Sequence, residues 1–180
     1  YALEDLTLTR HLPNLDVLLP YDPSSALELF KSAAATKNPT YVRLMKGGEK
    51  EILKVGVEAG FDVIHEGNDV TLFGHGGTVS ELKDASLQLR KKGIKCKVIA
   101  VTKTSQLNKI DHHLSKLNLF YEEHFNGGLF SEYTLLESCH VYNICYSTLN
   151  KYRTRGNILK ENNMTSDQIV KTVMDLKNLA

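Results

Sequence analysis

Apolar residues in this chain fall into short blocks of roughly five, separated by stretches in which they recur every three or four positions, the signatures of strand and amphipathic helix. The rhythm is clearest from Val70 onward. VTLFG is a short apolar run that predicts a strand. Val79, Leu82, Ala85 and Leu89 then stripe one helical face, Thr78 and Glu81 have the spacing of a capping box, and Gly93 after Arg90, Lys91 and Lys92 marks the helix end. Residues 97–101 predict a strand, 109–117 a helix, 119–123 a strand, 129–138 a helix and 141–146 a strand. Thr165 and Gln168 predict a second capping box, opening a last helix with Ile169, Val173 and Leu176 inward.

The first 46 residues repeat the alternation on a smaller scale. LEDLTLTRHLP places Leu3 and Leu6 at helical spacing and stops at Pro13. Residues 15–19 read as a buried strand between two prolines. Asp22 before Pro23 predicts an N-cap and first helical position, with Ala26, Leu27, Phe30 and Ala34 on the inward face, and TYVRLM predicts another strand. Residues 47–66 lack a period and read as a linker, with a further strand possible at Phe61–His65 and a turn at Asn68-Asp69. Strands and helices alternating through short links predict an α/β fold, its parallel-dominated sheet covered on both faces.

Charge and cysteine content narrow the function classes. The 22 Lys and Arg against 21 Asp and Glu leave no electrostatic footprint for nucleic acid or anionic lipid. Cys96, Cys139 and Cys145 fit neither a zinc knuckle nor a CxxC pair, so they read as free thiols of a reducing, cytoplasmic compartment. No apolar run approaches the roughly 18 residues of a membrane span, and no signal-peptide pattern occurs. The chain opens at Tyr1 directly into a helical pattern, which suggests a longer parent.

Four stretches carry candidate chemistry. Gly74-His75-Gly76-Gly77 precedes a helix but matches neither dinucleotide nor P-loop spacing, so a tight turn is the better reading than a phosphate cradle. Asp111-His112-His113 lies in a predicted helix, where neighbours diverge and cannot share a metal. Arg90-Lys91-Lys92 suits the negative end of a helix dipole. EEHFNGGLFSE, from Glu122, is the densest. Glu122 and Glu123 are adjacent on a strand, so their side chains leave opposite faces and cannot form an acid/base pair. His124 and Glu132 alone are too few to ligate a metal. What remains is a strand whose polar carboxyl end lies at the crevice where α/β sheets place ligands or partners.

VIAVTKTSQLNKID, LFYEEHFNGGLFSEYTLLE and TSDQIVKTVMDL resemble the C-terminal domain of the transketolase superfamily. Upstream, LEDLTLTRHLPNLDVLLPYDPSSALELFKSAAATKNPTYVRLMK resembles the end of the pyrimidine-binding domain of the same enzymes. The resemblance implies a three-layer α/β/α fold with a mostly parallel five-stranded sheet. It divides the chain into a pyrimidine-domain tail (1–46), a linker (47–66) and the C-terminal domain (67–180). It implies a transferase moving a two-carbon or similar acyl unit between phosphorylated sugars or oxoacids, with thiamine diphosphate and Mg²⁺ in the intact enzyme. The diphosphate-binding part, with its GDG-type motif and the activating glutamate, would lie outside this chain, on a missing N-terminal part or subunit. This fragment alone is then expected to bind no cofactor and to be inactive, and the intact protein to be a homo-oligomer. The same resemblance points to Lys46 or Arg43 as the cationic residue that meets the substrate phosphate; three apart on a strand, the two face opposite ways, so at most one enters the site. A noncatalytic dimerisation module and a 2-oxoacid dehydrogenase β-type subunit are the alternatives. The loop STLNKYRTRGNILKENN departs from the family's usual glycine-rich form.

Overall fold

The computed structural model describes residues 3–46, 49–52, 59–125, 127–131, 133, 139–147 and 154–178. A helix α1 (Asp5–Thr9), strand β1 (Asp16–Leu18), helix α2 (Pro23–Ala35) and strand β2 (Thr40–Val42) come first, β1 and β2 pairing in parallel. The larger sheet takes β3 (Phe61–His65), β4 (Val70–Gly74), β5 (Cys96–Val101), β6 (Leu117–Phe125) and β7 (His140–Tyr146) in the order β3-β5-β4-β6-β7. Only β3 runs antiparallel, against β5; the other neighbours are parallel. Helices α3 (Thr78–Lys91), α4 (Arg155–Glu161) and α5 (Ser166–Lys177) complete the described elements, with a 3-10 segment at Thr104–His113.

Strand alternation sorts the core into two faces. Val70, Leu72, Val98, Ala100, Leu119 and Tyr121 pack with Val79, Leu82 and Leu89 of α3 and Ile169 and Val173 of α5. Phe73, Ile99, Val101 and Phe120 pack on the other side with Leu6 of α1, Val17 of β1, Ile110 and Phe130. There Phe73 stacks on Phe120 with ring centroids 4.5 Å apart, an offset geometry favourable to aromatic pairs. A parallel strand covered on both faces should be apolar nearly throughout, and β6 is buried along its length up to Phe125.

The local signals performed unevenly. Gly93 ends α3 at φ +82°, where the Ile94 N–H donates to the Leu89 carbonyl at 3.0 Å, closing the last turn. The Thr165–Gln168 capping box is present at α5. The one expected at Thr78 and Glu81 is not. Gly77 is the N-cap, the Thr78 hydroxyl accepts from the His75 N–H at 3.1 Å, and the Glu81 carboxylate accepts the Ser166 N–H at 2.8 Å, tying α3 to α5. Asp22 caps α2 as expected, but the inward face is Ser25 and Leu29, while Leu27 and Phe30 are 57% and 46% exposed. The cap sets this rotation: Ser25 is locked by the Tyr21 and Asp22 N–H groups, and Asp22 also accepts from the Ile52 N–H. The helix expected over 109–117 is instead the 3-10 segment, and β6 starts at Leu117. Phe61–His65, within the stretch read as a linker, is a strand of the large sheet. Of the helix expected over 129–138, Leu129 and Phe130 form a turn, and residues 132 and 134–138 lie outside the described set.

Gly67 holds the β3–β4 turn against the start of β5. A Cβ there would lie 2.4 Å from the Lys95 carbonyl oxygen and the Cys96 carbonyl carbon, backbone atoms that cannot step aside. Gly67→Ala is expected to lower stability by about 1–3 kcal/mol, the usual cost of forced overpacking, read as a lower urea midpoint at unchanged slope. An unchanged midpoint would show that the turn re-forms freely.

Candidate functional site

The carboxyl end of β6 separates its two glutamates as strand geometry requires. Glu122 points to the Phe120 face. Its oxygens accept from the Leu129 N–H at 2.5 Å, the Phe130 N–H at 3.1 Å and the Asn143 amide at 3.2 Å. His75 of the glycine turn lies 3.7 Å away, and Gly128 leaves room for the carboxylate, since a Cβ there would stand 2.4 Å from Glu122 Oε2. Burial would raise the Glu122 carboxyl, but His75 beside it and the Phe130 and Leu129 N–H groups outweigh burial and hold it below its ordinary 4.5. Burial pulls the His75 imidazole below 6.5, so His75 is neutral at pH 7. Glu122 therefore acts as an internal cap for the turn at 129–130.

The same turn is the dock for the N-terminal segment. Leu3 accepts the Phe125 N–H at 3.1 Å, the Thr7 hydroxyl donates to the Gly127 carbonyl at 2.9 Å, and Arg10 donates to the Leu129 carbonyl at 3.0 Å. At the centre sits Asp5. Its Oδ2 accepts from the Tyr41 hydroxyl at 2.7 Å and Arg43 Nε at 2.9 Å, and its Oδ1 lies 3.8 Å from His124 Nε2. Burial would raise the Asp5 carboxyl; the Tyr41 hydrogen bond and the Arg43 guanidinium hold it below 3.8. His124 Nδ1 is 2.8 Å from the Phe125 carbonyl, which makes Nδ1 the protonated nitrogen. Among the described residues no three His, Cys, Asp or Glu side chains converge as ligands for a metal, and Glu132 lies outside them.

Glu123 leaves by the opposite face, into a cleft of about 1010 Å³. Arg43, Lys46, Lys50, Gly77, Tyr146 and Arg155 line it with Glu123. Because β2 ends at Val42, strand alternation does not separate Arg43 from Lys46, and both reach the same cleft, contrary to the expectation that only one would. Arg43 is largely buried and already engaged, through Asp5 and through the Glu123 carbonyl at 2.9 Å, whereas Lys46 is exposed. Arg155 was not anticipated. It opens α4 inside the stretch read as a loop; its Nε lies 3.0 Å from both Glu123 carboxylate oxygens, Nη2 bonds Oε1, and the Tyr146 hydroxyl donates to Oε2 at 3.1 Å. Thr154, which caps α4, followed by the buried Ile158 and Leu159 is the signal that locates this short helix. A Cβ on Gly77 would stand 2.6 Å from Arg155 Nη2, so the glycine turn gives close backbone approach to this ion pair. Asp111, His112 and His113 do not converge: Asp111 accepts from the Tyr133 hydroxyl, and His113 packs edge-on to Phe61.

The family described as "Transketolase, C-terminal domain" matches residues 60–132, from the start of β3 through the EEHFNGGLFSE turn. That stretch of the chain belongs to the transketolase C-terminal domain family. Curated relatives agree. The 1-deoxy-D-xylulose-5-phosphate synthase 1 of Geobacter sulfurreducens is 29% identical over 105 residues, 55% of this chain and 16% of the synthase. An apulose-4-phosphate transketolase subunit of Actinobacillus succinogenes is 27% identical over 107 residues, 56% of this chain and 33% of that relative. The matched stretch thus spans about a sixth to a third of these relatives. Among solved structures, a split gene transketolase in an inactive beta4 tetramer superposes with a TM-score of 0.81 at 24% identity, covering 96% of this chain and 60% of that one. The Campylobacter jejuni transketolase gives 0.79 at 16% identity, covering 96% and 28%. The superposition takes in α1 to β2 as well as the transketolase C-terminal domain, so the shared fold extends beyond the family match. No helix among the described residues is long and apolar enough to cross a membrane.

Proposed function

We propose that this chain is the C-terminal part of a cytoplasmic, thiamine diphosphate-dependent transferase of the transketolase kind, moving a two-carbon or similar acyl unit between phosphorylated sugars or oxoacids. In this reading residues 1–46 end a pyrimidine-binding domain, 67–180 form the transketolase C-terminal domain, and Arg43 and Lys46 meet the substrate phosphate. The observation that carries it is the docking of the N-terminal segment: α1 and β2 are fixed to the β6 turn through Asp5, Arg43 and Thr7, and a split gene transketolase has a similar fold over 96% of the chain. As the family resemblance implies, the reading assigns Mg²⁺ and the cofactor diphosphate to a separate N-terminal part or subunit. Thiamine diphosphate would supply the carbanion chemistry; this chain's residues hold the acceptor end and the packing of the domains.

The test pairs the protein with its N-terminal partner. With thiamine diphosphate and Mg²⁺ present, the combination is expected to take up cofactor by calorimetric titration, to transfer acyl units between phosphorylated sugars or oxoacids, and to form a homo-oligomer of the intact unit by light scattering. Cofactor uptake and transfer absent from every combination would overturn the reading in favour of a noncatalytic assembly module.

A further inference from the structure

Glu123 fixes two guanidinium groups at once. Its backbone carbonyl accepts from Arg43 Nη2 at 2.9 Å, and its carboxylate holds Arg155 through Nε and Nη2. Each arginine spends Nε and Nη2 in this way, and neither Nη1 makes a hydrogen bond among the described residues. The exposure is asymmetric: the Glu123 side chain is 7% exposed and that of Arg155 38%, so the carboxylate is buried behind the cation it orients. Both acids of this wall are already paired with a cation, Asp5 with Arg43 and Glu123 with Arg155. Lys46 and Lys50 line the same cleft and form no ion pair among the described residues.

Building on the phosphate reading above, we propose that Arg155 is a second anion-holding side chain of the cleft, positioned by Glu123 to share one phosphate monoester with Arg43 and Lys46. A guanidinium fork gives directional donors that a phosphate oxygen can accept in pairs, while Lys46 adds an adjustable point charge. The cleft also holds the acids Glu81 and Asp84 of α3 and Glu49, of which Glu81 lies within electrostatic reach of Arg155. They repel a second anionic group but accept hydrogen bonds from hydroxyls, so the ligand class is a monoester with a neutral, hydroxyl-bearing remainder. The C-terminal domain thereby contributes a binding residue to a site whose other cations lie between β2 and β3.

The probe is glycerol 3-phosphate, titrated calorimetrically into the full chain, with glycerol as the neutral control. Saturable binding is expected for the native chain, at least tenfold weaker for Arg155→Gln, and intermediate for Arg155→Lys, which keeps the charge but loses the fork. Since Arg155→Gln strands a buried carboxylate, the double variant Glu123→Gln with Arg155→Gln serves if the single one unfolds, with the same tenfold loss expected. Unchanged affinity in the Arg155 variants beside a tenfold loss in Lys46→Gln overturns the role of Arg155 and leaves the phosphate reading standing. Absence of binding to the native chain overturns the phosphate role of the whole wall, and transfer activity of the assembled protein then decides the transferase reading separately.

Discussion

Replacing Glu122 by alanine is expected to destabilise the fold by about 3–5 kcal/mol, the range seen when one member of a buried, hydrogen-bonded charge cluster is removed. The side chain is wholly buried and accepts from the Leu129 and Phe130 N–H groups and from Asn143. Alanine leaves those donors dry and removes the carboxylate 3.7 Å from the buried His75 ring. Glu122→Gln keeps one carbonyl acceptor but turns an amide toward a backbone donor, so a smaller loss of about 1–3 kcal/mol follows. The effect has a pH signature. Because the folded-state carboxyl lies below 4.5, its contribution is fully present above that value and is lost as pH falls through the lower, folded value. Urea midpoints measured from pH 7 downward should therefore converge between native chain and Glu122→Gln at acid pH. A loss under about 1 kcal/mol at pH 7 would show that the turn at 129–130 is held by packing alone.

Much of this architecture is written locally. The strands from β4 to β7 follow apolar runs, Gly93 and the Thr165 box terminate and start helices where their chemistry demands, and period two alone separates Glu122 from Glu123. Those features depend on neighbours within a few residues. The rotation of α2 does not: Leu27 and Phe30 have the right spacing for a core face, and only the Asp22–Ser25 lock with Tyr21 and Ile52 decides otherwise. The site was legible in part. Arg43 and Lys46 were identifiable as candidates, yet their shared access follows from β2 ending at Val42, which no propensity announces. Arg155 lies 32 positions from Glu123, and the strap from Thr7 to Gly127 closes over 120. Such pairings are set by the packing of distant elements, so the polar turn after β6 could be placed at a crevice from sequence while its partners could not.

Asp5→Ala is the second large effect expected, about 2–4 kcal/mol, together with loss of phosphate binding if the cleft reading holds. Asp5 neutralises Arg43, whose side chain is only 12% exposed, and it is the acceptor for the Tyr41 hydroxyl. Removing it leaves a nearly buried guanidinium without a counter-ion and a phenol without an acceptor. The Glu123 carbonyl alone cannot offset that, because a neutral acceptor gives less than a carboxylate to a cation. The consequence should spread beyond β2, since α1 carries Asp5 and is tied to the β6 turn also through Thr7, Arg10, the Leu3 contact and the packing of Leu6 near Phe130. A double-mutant cycle separates the ion pair from the helix: Arg43→Met in the Asp5→Ala background removes the stranded charge and should recover at least about 1 kcal/mol of the loss, on the order of the coupling measured for contacting groups. Equal stability of the single and double variants would mean that Asp5 acts through Tyr41 and α1 and that Arg43 is held by Glu123 alone. If Asp5→Ala instead unfolds only the N-terminal segment, amide exchange should rise across α1 and β2 while β4, β5 and β6 stay protected, which places the weakest joint of the molecule at this carboxylate.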